Sequence, residues 1–160
     1  MYSQLQLISE LQIVGHVVLA MILSAMIGID REMAEKPAGF RTHMLVGGAS
    51  ALLVSLSSVI VNALKVDESF IQVDPIRVLE AIIAGVSFLG AGTIFRRSTD
   101  SENGTMEGLT TAASLLFVVG IGVSVATHQY VLAIGVTSMA LLVLRGLPWV
   151  ESRIQTKTPR

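Results

Sequence analysis

The chain has 160 residues, of which 52% are hydrophobic and only 14% charged, whereas soluble domains usually carry about 25% charged residues. A formal net charge of −1 supplies no basic face for nucleic acid. Without cysteine there is no disulfide, thiolate metal site or cysteine nucleophile.

The bilayer is therefore the expected solvent, and five apolar runs follow in order. The first covers about 11–29. Met1 to Glu10 holds no Lys or Arg, so this run reads as a retained span and not as a cleaved leader. The second run covers about 44–64, the third about 76–95, the fourth about 109–126 and the fifth about 130–147. Each approaches the ~20 residues a helix needs to cross a ~30 Å hydrocarbon core. None alternates as a transmembrane strand does. The expected fold is all-α: one transmembrane domain over 1–147, a bundle of five helices, then a short polar tail at 148–160. Thr127, His128 and Gln129 are enough for a tight helical hairpin. The other connectors hold Pro37, Gly39, Pro75, Gly104 and Gly108.

Charge gives the orientation. Nine of the eleven Lys and Arg fall in the connectors 30–43 and 96–108 and in the C-terminal region: Arg31, Lys36, Arg41, Arg96, Arg97, Arg145, Arg153, Lys157 and Arg160. Lys65 and Arg77 remain on the other side. The positive-inside rule then places the N-terminus outside and the C-terminus in the cytoplasm.

The connector after the first run packs Asp30, Arg31, Glu32, Glu35, Lys36 and Arg41 into a short stretch. It reads either as a solvated loop serving topology or as a cytoplasmic cap that meets a partner. The spacing of Lys36, Gly39, Arg41 and Thr42 favours the second, because topology needs neither Gly39 nor Thr42. Asp30 is expected to pair with Arg41, with Gly39 permitting the turn between them. Arg77 and Glu80, one turn apart on the third run, read as a local ion pair or as a cation entry site. Asp67, Glu68 and Asp74 make an acidic rim nearby, too weak a signal to be called a site. His16 reads as a hydrogen-bonded residue of the interior. It has no second histidine at helical spacing to make a metal pair. Ala20, Ser24 and Gly28 form a small-residue stripe on the first run, and Ala81 and Gly85 begin another on the third; both suit close helix contact. Between Gly85, Gly90 and Gly92 lies the best place for a helix break that would expose carbonyls to an ion. Thr110 and Thr111 open the fourth run, where free amides could meet an anion or the carboxylate of Glu107. The sequon at Asn103 falls in a connector expected to be cytoplasmic. No P-loop, zinc-protease, nucleophile-elbow or dinucleotide motif is present.

Three blocks carry a resemblance. The first is Gly28, Arg31, Lys36, Ala38, Gly39, Arg41, Thr42, Leu45 and Val46. The second is Arg77 followed by the run from Gly85 to Gly92. The third is the run from Gly108 to Ala113 with Ile121 and Gly122. In order and spacing they resemble the MgtC/SapB family of bacterial inner-membrane proteins. The chain departs from that pattern at Asp30, often Glu in the family, at Ala81, often Gln, and at Leu116, often Trp. It also looks like the short form, without the soluble C-terminal domain of longer members.

The resemblance implies a multi-pass protein of the inner membrane, supporting magnesium or envelope homeostasis and stress adaptation, with no cofactor. It implies a membrane-protein partner such as the F-type ATP synthase or a transporter, and a homodimer is a further expectation. The alternative is a small transporter or channel for Mg²⁺ or another cation. Its path would run among the first, third and fourth spans, with gates near Glu80 and Asp30. No metal site is assigned by either reading.

Overall fold

The structure is a computed structural model that describes residues 2–63, 74–98 and 108–155. Five helices make it up: α1 (Tyr2–Met33), α2 (Phe40–Ala63), α3 (Pro75–Ser98), α4 (Leu109–Ala126) and α5 (Tyr130–Gln155). The segments Gln6–Met33, Phe40–Val61, Ile76–Ile94 and Leu109–Ala126 are long and apolar enough to cross a membrane. The apolar part of α5, Tyr130–Gly146, is shorter. It still falls near the ~17-residue lower end of membrane-spanning lengths.

Several boundaries differ from the sequence reading: α1 runs on to Met33 and α2 starts at Phe40, so Asp30, Arg31 and Glu32, read as connector, are helical, and the outer ends of α1 and α5 differ most. Helix α1 begins near the N-terminus, because Gln, Ser and Glu within 3–10 do not break a helix that leucine and isoleucine continue. Helix α5 runs through Pro148 to Gln155, into the stretch read from the sequence as a short polar tail. Proline removes one amide donor without forcing the chain out of helix. The tail beyond 155 lies outside the described residues.

Helix α4 touches all four other helices. Against it, α1 and α2 form an antiparallel pair, and small residues set how close they come. A Cβ on Gly28 would lie 2.8 Å from the Phe40 Cα and 3.0 Å from the His43 Cβ. Gly47 sits directly under the Ser24 hydroxyl, and Gly122 sits against the Gly47 carbonyl and Ser50. Ala20, Ser24, Ile27, Leu115, Val118 and Ile121 are fully buried or lie in this seam. The stripe on α1 thus serves packing within the chain. Helices lacking a hydrophobic drive toward each other in lipid gain most from such close van der Waals contact.

Helix α2 runs parallel to α4, as His43 against Ser114 and Gly47 against Val118 show. Helix α3 lies outside this trio, packs on α4 and α2, and does not touch α1. It is continuous from Pro75 to Ser98, so no break occurs between Gly85 and Gly92. Gly90 packs on Ala112, but Gly85 and Gly92 face open space. Ala81 and Gly85 line an open groove toward Leu45, Ala49 and Leu53 of α2, so that stripe makes no close helix contact. The start of α3 is capped by Asp74, whose carboxylate accepts from the Ile76 amide at 2.9 Å. Asp74 is a helix cap; Asp67 and Glu68 lie outside the described residues.

Candidate functional site at the α1–α2 connector

The end of α1 closes with two backbone bonds. The Glu35 amide donates to the Glu32 carbonyl and the Lys36 amide to the Arg31 carbonyl, both at 3.0 Å. Glu35 takes the left-handed conformation at φ 54°, the position where helices usually place glycine. The chain then turns straight into α2. The Glu32 carboxylate reaches forward and accepts from the Phe40 amide at 2.8 Å, which satisfies a free amide at the start of α2. This contact explains Gly39: a Cβ there would stand 2.7 Å from the Glu32 Oε2. Gly39 is needed for the approach of Glu32, and not for an Asp30–Arg41 turn.

Asp30 pairs elsewhere. One carboxylate oxygen takes the guanidinium of neighbouring Arg31, with Nε at 3.1 Å. The other accepts from the Arg145 Nε of α5 at 2.9 Å. Asp30 and Arg31 are buried, while the side chain of Arg145 is 62% exposed. A carboxylate in the last turn of a helix opposes the helix dipole. Two guanidiniums offset that cost and join α1 to α5. Arg41 is exposed and makes no ion pair among the described residues. The expected Asp30–Arg41 pair is therefore absent, because Arg31 and Arg145 occupy both oxygens.

His43, one turn into α2, is fully buried. Its Nδ1 lies 2.9 Å from the Gly39 carbonyl and its Nε2 3.0 Å from the Ser114 hydroxyl of α4. A carbonyl only accepts, so Nδ1 carries the proton. The Ser114 hydroxyl also lies 2.7 Å from the Thr111 carbonyl. With one proton it serves one acceptor at a time. Thr111 is buried in this cluster and Thr110 is exposed. The start of α4 has Gly108 at its N-cap at φ 106°, without a side-chain cap; Glu107 lies outside the described residues.

The ends of α1, α2, α4 and α5 thus meet around the buried polar groups of Asp30, Arg31, His43, Thr111 and Ser114, with the exposed Arg145 pairing to Asp30 from the outside. Above them, Lys36, Arg41 and Thr42 are exposed. Arg77 and Glu80 belong to the opposite end, at the start of α3. Both are exposed, and they make no ion pair with each other. Sequence reasoning missed His43, Glu32 and Arg145. A signal existed for His43: an imidazole one turn after Gly39, at the mouth of an apolar run, with Ser and Thr opening another.

A second clasp sits midway along α1, where the helix meets the α4–α5 turn. The His16 Nε2 and the His128 Nδ1 each lie 3.0 Å from the Tyr130 hydroxyl. Both clasps join α1 to α5 in one register, with partners 114 and 115 positions apart. The two helices run parallel, pinned about four turns or ~21 Å apart. His16 does hydrogen-bond as expected, but it is half-buried and not a residue of the interior.

Residues 17–153 match the MgtC family. The chain is similar to "Putative magnesium transporter YhiD" of Escherichia coli (strain K12), 36% identical over 141 residues, covering 88% of this chain and 62% of that protein. It is similar to "Protein SapB" of Bacillus subtilis (strain 168), 33% identical over 138 residues, covering 85% and 56%. It is similar to "Protein MgtC" of Salmonella typhimurium (strain LT2), 35% identical over 122 residues, covering 76% and 46%. The chain therefore spans about three fifths or less of the length of these relatives. No solved structure matches. The helical bundle, the three motif blocks and the match over most of the chain agree: this membrane protein belongs to the MgtC family.

Proposed function

We propose that the chain is a non-enzymatic protein of the bacterial inner membrane that supports magnesium or envelope homeostasis by acting on a membrane partner. The names of its relatives support the magnesium connection. The observation that carries the partner reading is the build of the α1–α2 connector. A turn locked by Glu32, Gly39 and the Asp30 pairs holds Lys36, Arg41 and Thr42 outward. A loop serving only topology needs the charges and not that rigid support. In the orientation given by the Lys and Arg count this face is cytoplasmic. The partner would be the ATP synthase or a transporter, as the family resemblance implies, and two copies would form the working unit.

The transporter reading has less support. Its path among α1, α3 and α4 would need α1 beside α3, and the two do not touch. The seam of α1, α2 and α4 is closed by Gly47 and Gly122. Site-specific photo-cross-linking in native membranes tests the proposal. Cross-linkers at Lys36 and Arg41 should capture one and the same membrane protein, and one at the lipid-facing Leu142 should not. Capture at none of these, together with Mg²⁺ flux by reconstituted protein, would favour the transporter.

A further inference from the structure

The clasp between the middle of α1 and the α4–α5 turn holds more chemistry than a helix contact needs. The chain has three histidines and no cysteine. His43 is buried with both ring nitrogens engaged. The other two come from distant parts of the chain and stand together, with ring centroids 4.6 Å apart in an edge-on arrangement. The His16 Nε2 and the His128 Nδ1 aim at one point, the Tyr130 oxygen, each from 3.0 Å.

The backbone at His128 is the second observation. The turn after α4 closes with the Gln129 amide donating to the Ser124 carbonyl at 2.8 Å and the His128 amide to the Val125 carbonyl at 3.0 Å. This is the helix stop whose left-handed position normally takes glycine. Here it is histidine at φ 62°. A side chain there costs about 1–2 kcal/mol of backbone strain. The turn itself has no use for an imidazole, whereas the cluster does.

We infer that His16, His128 and Tyr130 form a site for a borderline divalent transition ion such as Zn²⁺, distinct from any magnesium chemistry of the protein. Zn²⁺ bonds to imidazole nitrogen at about 2.0–2.1 Å, and tetrahedral geometry then puts two donors about 3.3 Å apart. The two nitrogens stand 3.0 Å from the phenol oxygen. Both of these edges lie within a few tenths of an ångström of that spacing, so an ion held by the three atoms, with water in the fourth position, needs little change along them. Hard Mg²⁺ prefers oxygen ligands and does not suit an imidazole pair. In the metal-free cluster the phenol proton bonds one ring nitrogen, and the other ring donates to the phenol oxygen. On metal binding both of these nitrogens must be unprotonated, so the donating ring shifts its proton to its other nitrogen. The phenol proton leaves to water. His128 is exposed and Tyr130 is 40% exposed at the α4–α5 turn, so the ion can enter from that turn. Bound there, it would fasten α1 to the α4–α5 turn.

The test is titration of the purified, tag-free protein in detergent with Zn²⁺, read by calorimetry and by unfolding temperature, with Mg²⁺ as control. One Zn²⁺ per chain should bind at micromolar concentration and raise the unfolding temperature, and Mg²⁺ should not. His16→Gln and His128→Gln should each abolish that binding. Tyr130→Phe should weaken it about tenfold, the scale of losing a supporting ligand group. His43→Gln, outside the cluster, should leave it unchanged. Helicity of each variant without metal shows that it is folded. No stoichiometric binding by the wild type, or binding unaffected in folded His16→Gln and His128→Gln proteins, would overturn the site.

Discussion

Replacing Asp30 by Asn separates the two halves of its ion-pair network by magnitude. The side chains of Asp30 and Arg31 are 11% and 7% exposed. Removing one partner of a buried pair strands the other charge, which typically costs about 3–5 kcal/mol. The Arg145 side chain is 62% exposed, and such a pair contributes about 0–1 kcal/mol. Asp30→Asn should therefore cost at least three times as much as Arg145→Gln. The Arg145→Gln loss should shrink in high salt, because only the exposed pair is screened. The double variant Asp30→Asn with Arg31→Met should recover part of the Asp30→Asn loss, since no buried charge is then left alone. Unfolding of the purified protein in mixed micelles by increasing SDS, followed by helicity at two salt concentrations, measures all three. Equal costs for Asp30→Asn and Arg145→Gln, or an Asp30→Asn loss under about 1 kcal/mol, would refute the view that Arg31 is the charge Asp30 must hold.

Gly122→Ala forces a Cβ against the Gly47 carbonyl and to 2.8 Å from the Ser50 Cβ, so it should destabilise by about 1–3 kcal/mol in the same assay. Gly85→Ala, with nothing within 4 Å, should be neutral or slightly stabilising. Glu32→Ala removes the cap on the Phe40 amide and should cost about 0.5–2 kcal/mol, with faster amide exchange confined to the first turn of α2. His43→Ala empties a fully buried position and breaks the link to Ser114; a loss of about 1–3 kcal/mol is expected from the cavity and the hydrogen bond, read by thermal unfolding in detergent.

The helices were legible because lipid leaves few alternatives: apolar runs of the right length must be helical. The bounds of α4 read correctly, since Gly108 and the polar triplet after Ala126 interrupt an otherwise unbroken run. The ends of α1 and α5 did not, because polar residues and Pro148 mark where a span leaves the hydrocarbon, not where a helix stops. The small stripe at Ala20, Ser24 and Gly28 read correctly as packing, while Ala81 and Gly85 did not. Spacing shows that a face is small; only the position of α3 outside the trio shows that none of the described helices packs closely on it. The Asp30 partner was hidden for a similar reason. Arg145 is 115 positions away, and Arg31, as an adjacent residue, lies off the helical face on which pairing rules operate. Gly39 stands out in the sequence, but its cause, the Glu32 carboxylate, emerges only in the fold.

The most direct test of a working connector face is growth on limiting magnesium of a strain deleted for this protein and complemented with Lys36→Gln/Arg41→Gln. Both residues are exposed, so protein level and unfolding should match the wild type. The expected result is loss of complementation at normal abundance. Full complementation by the double variant, at wild-type level in the membrane, would contradict a functional role for that face.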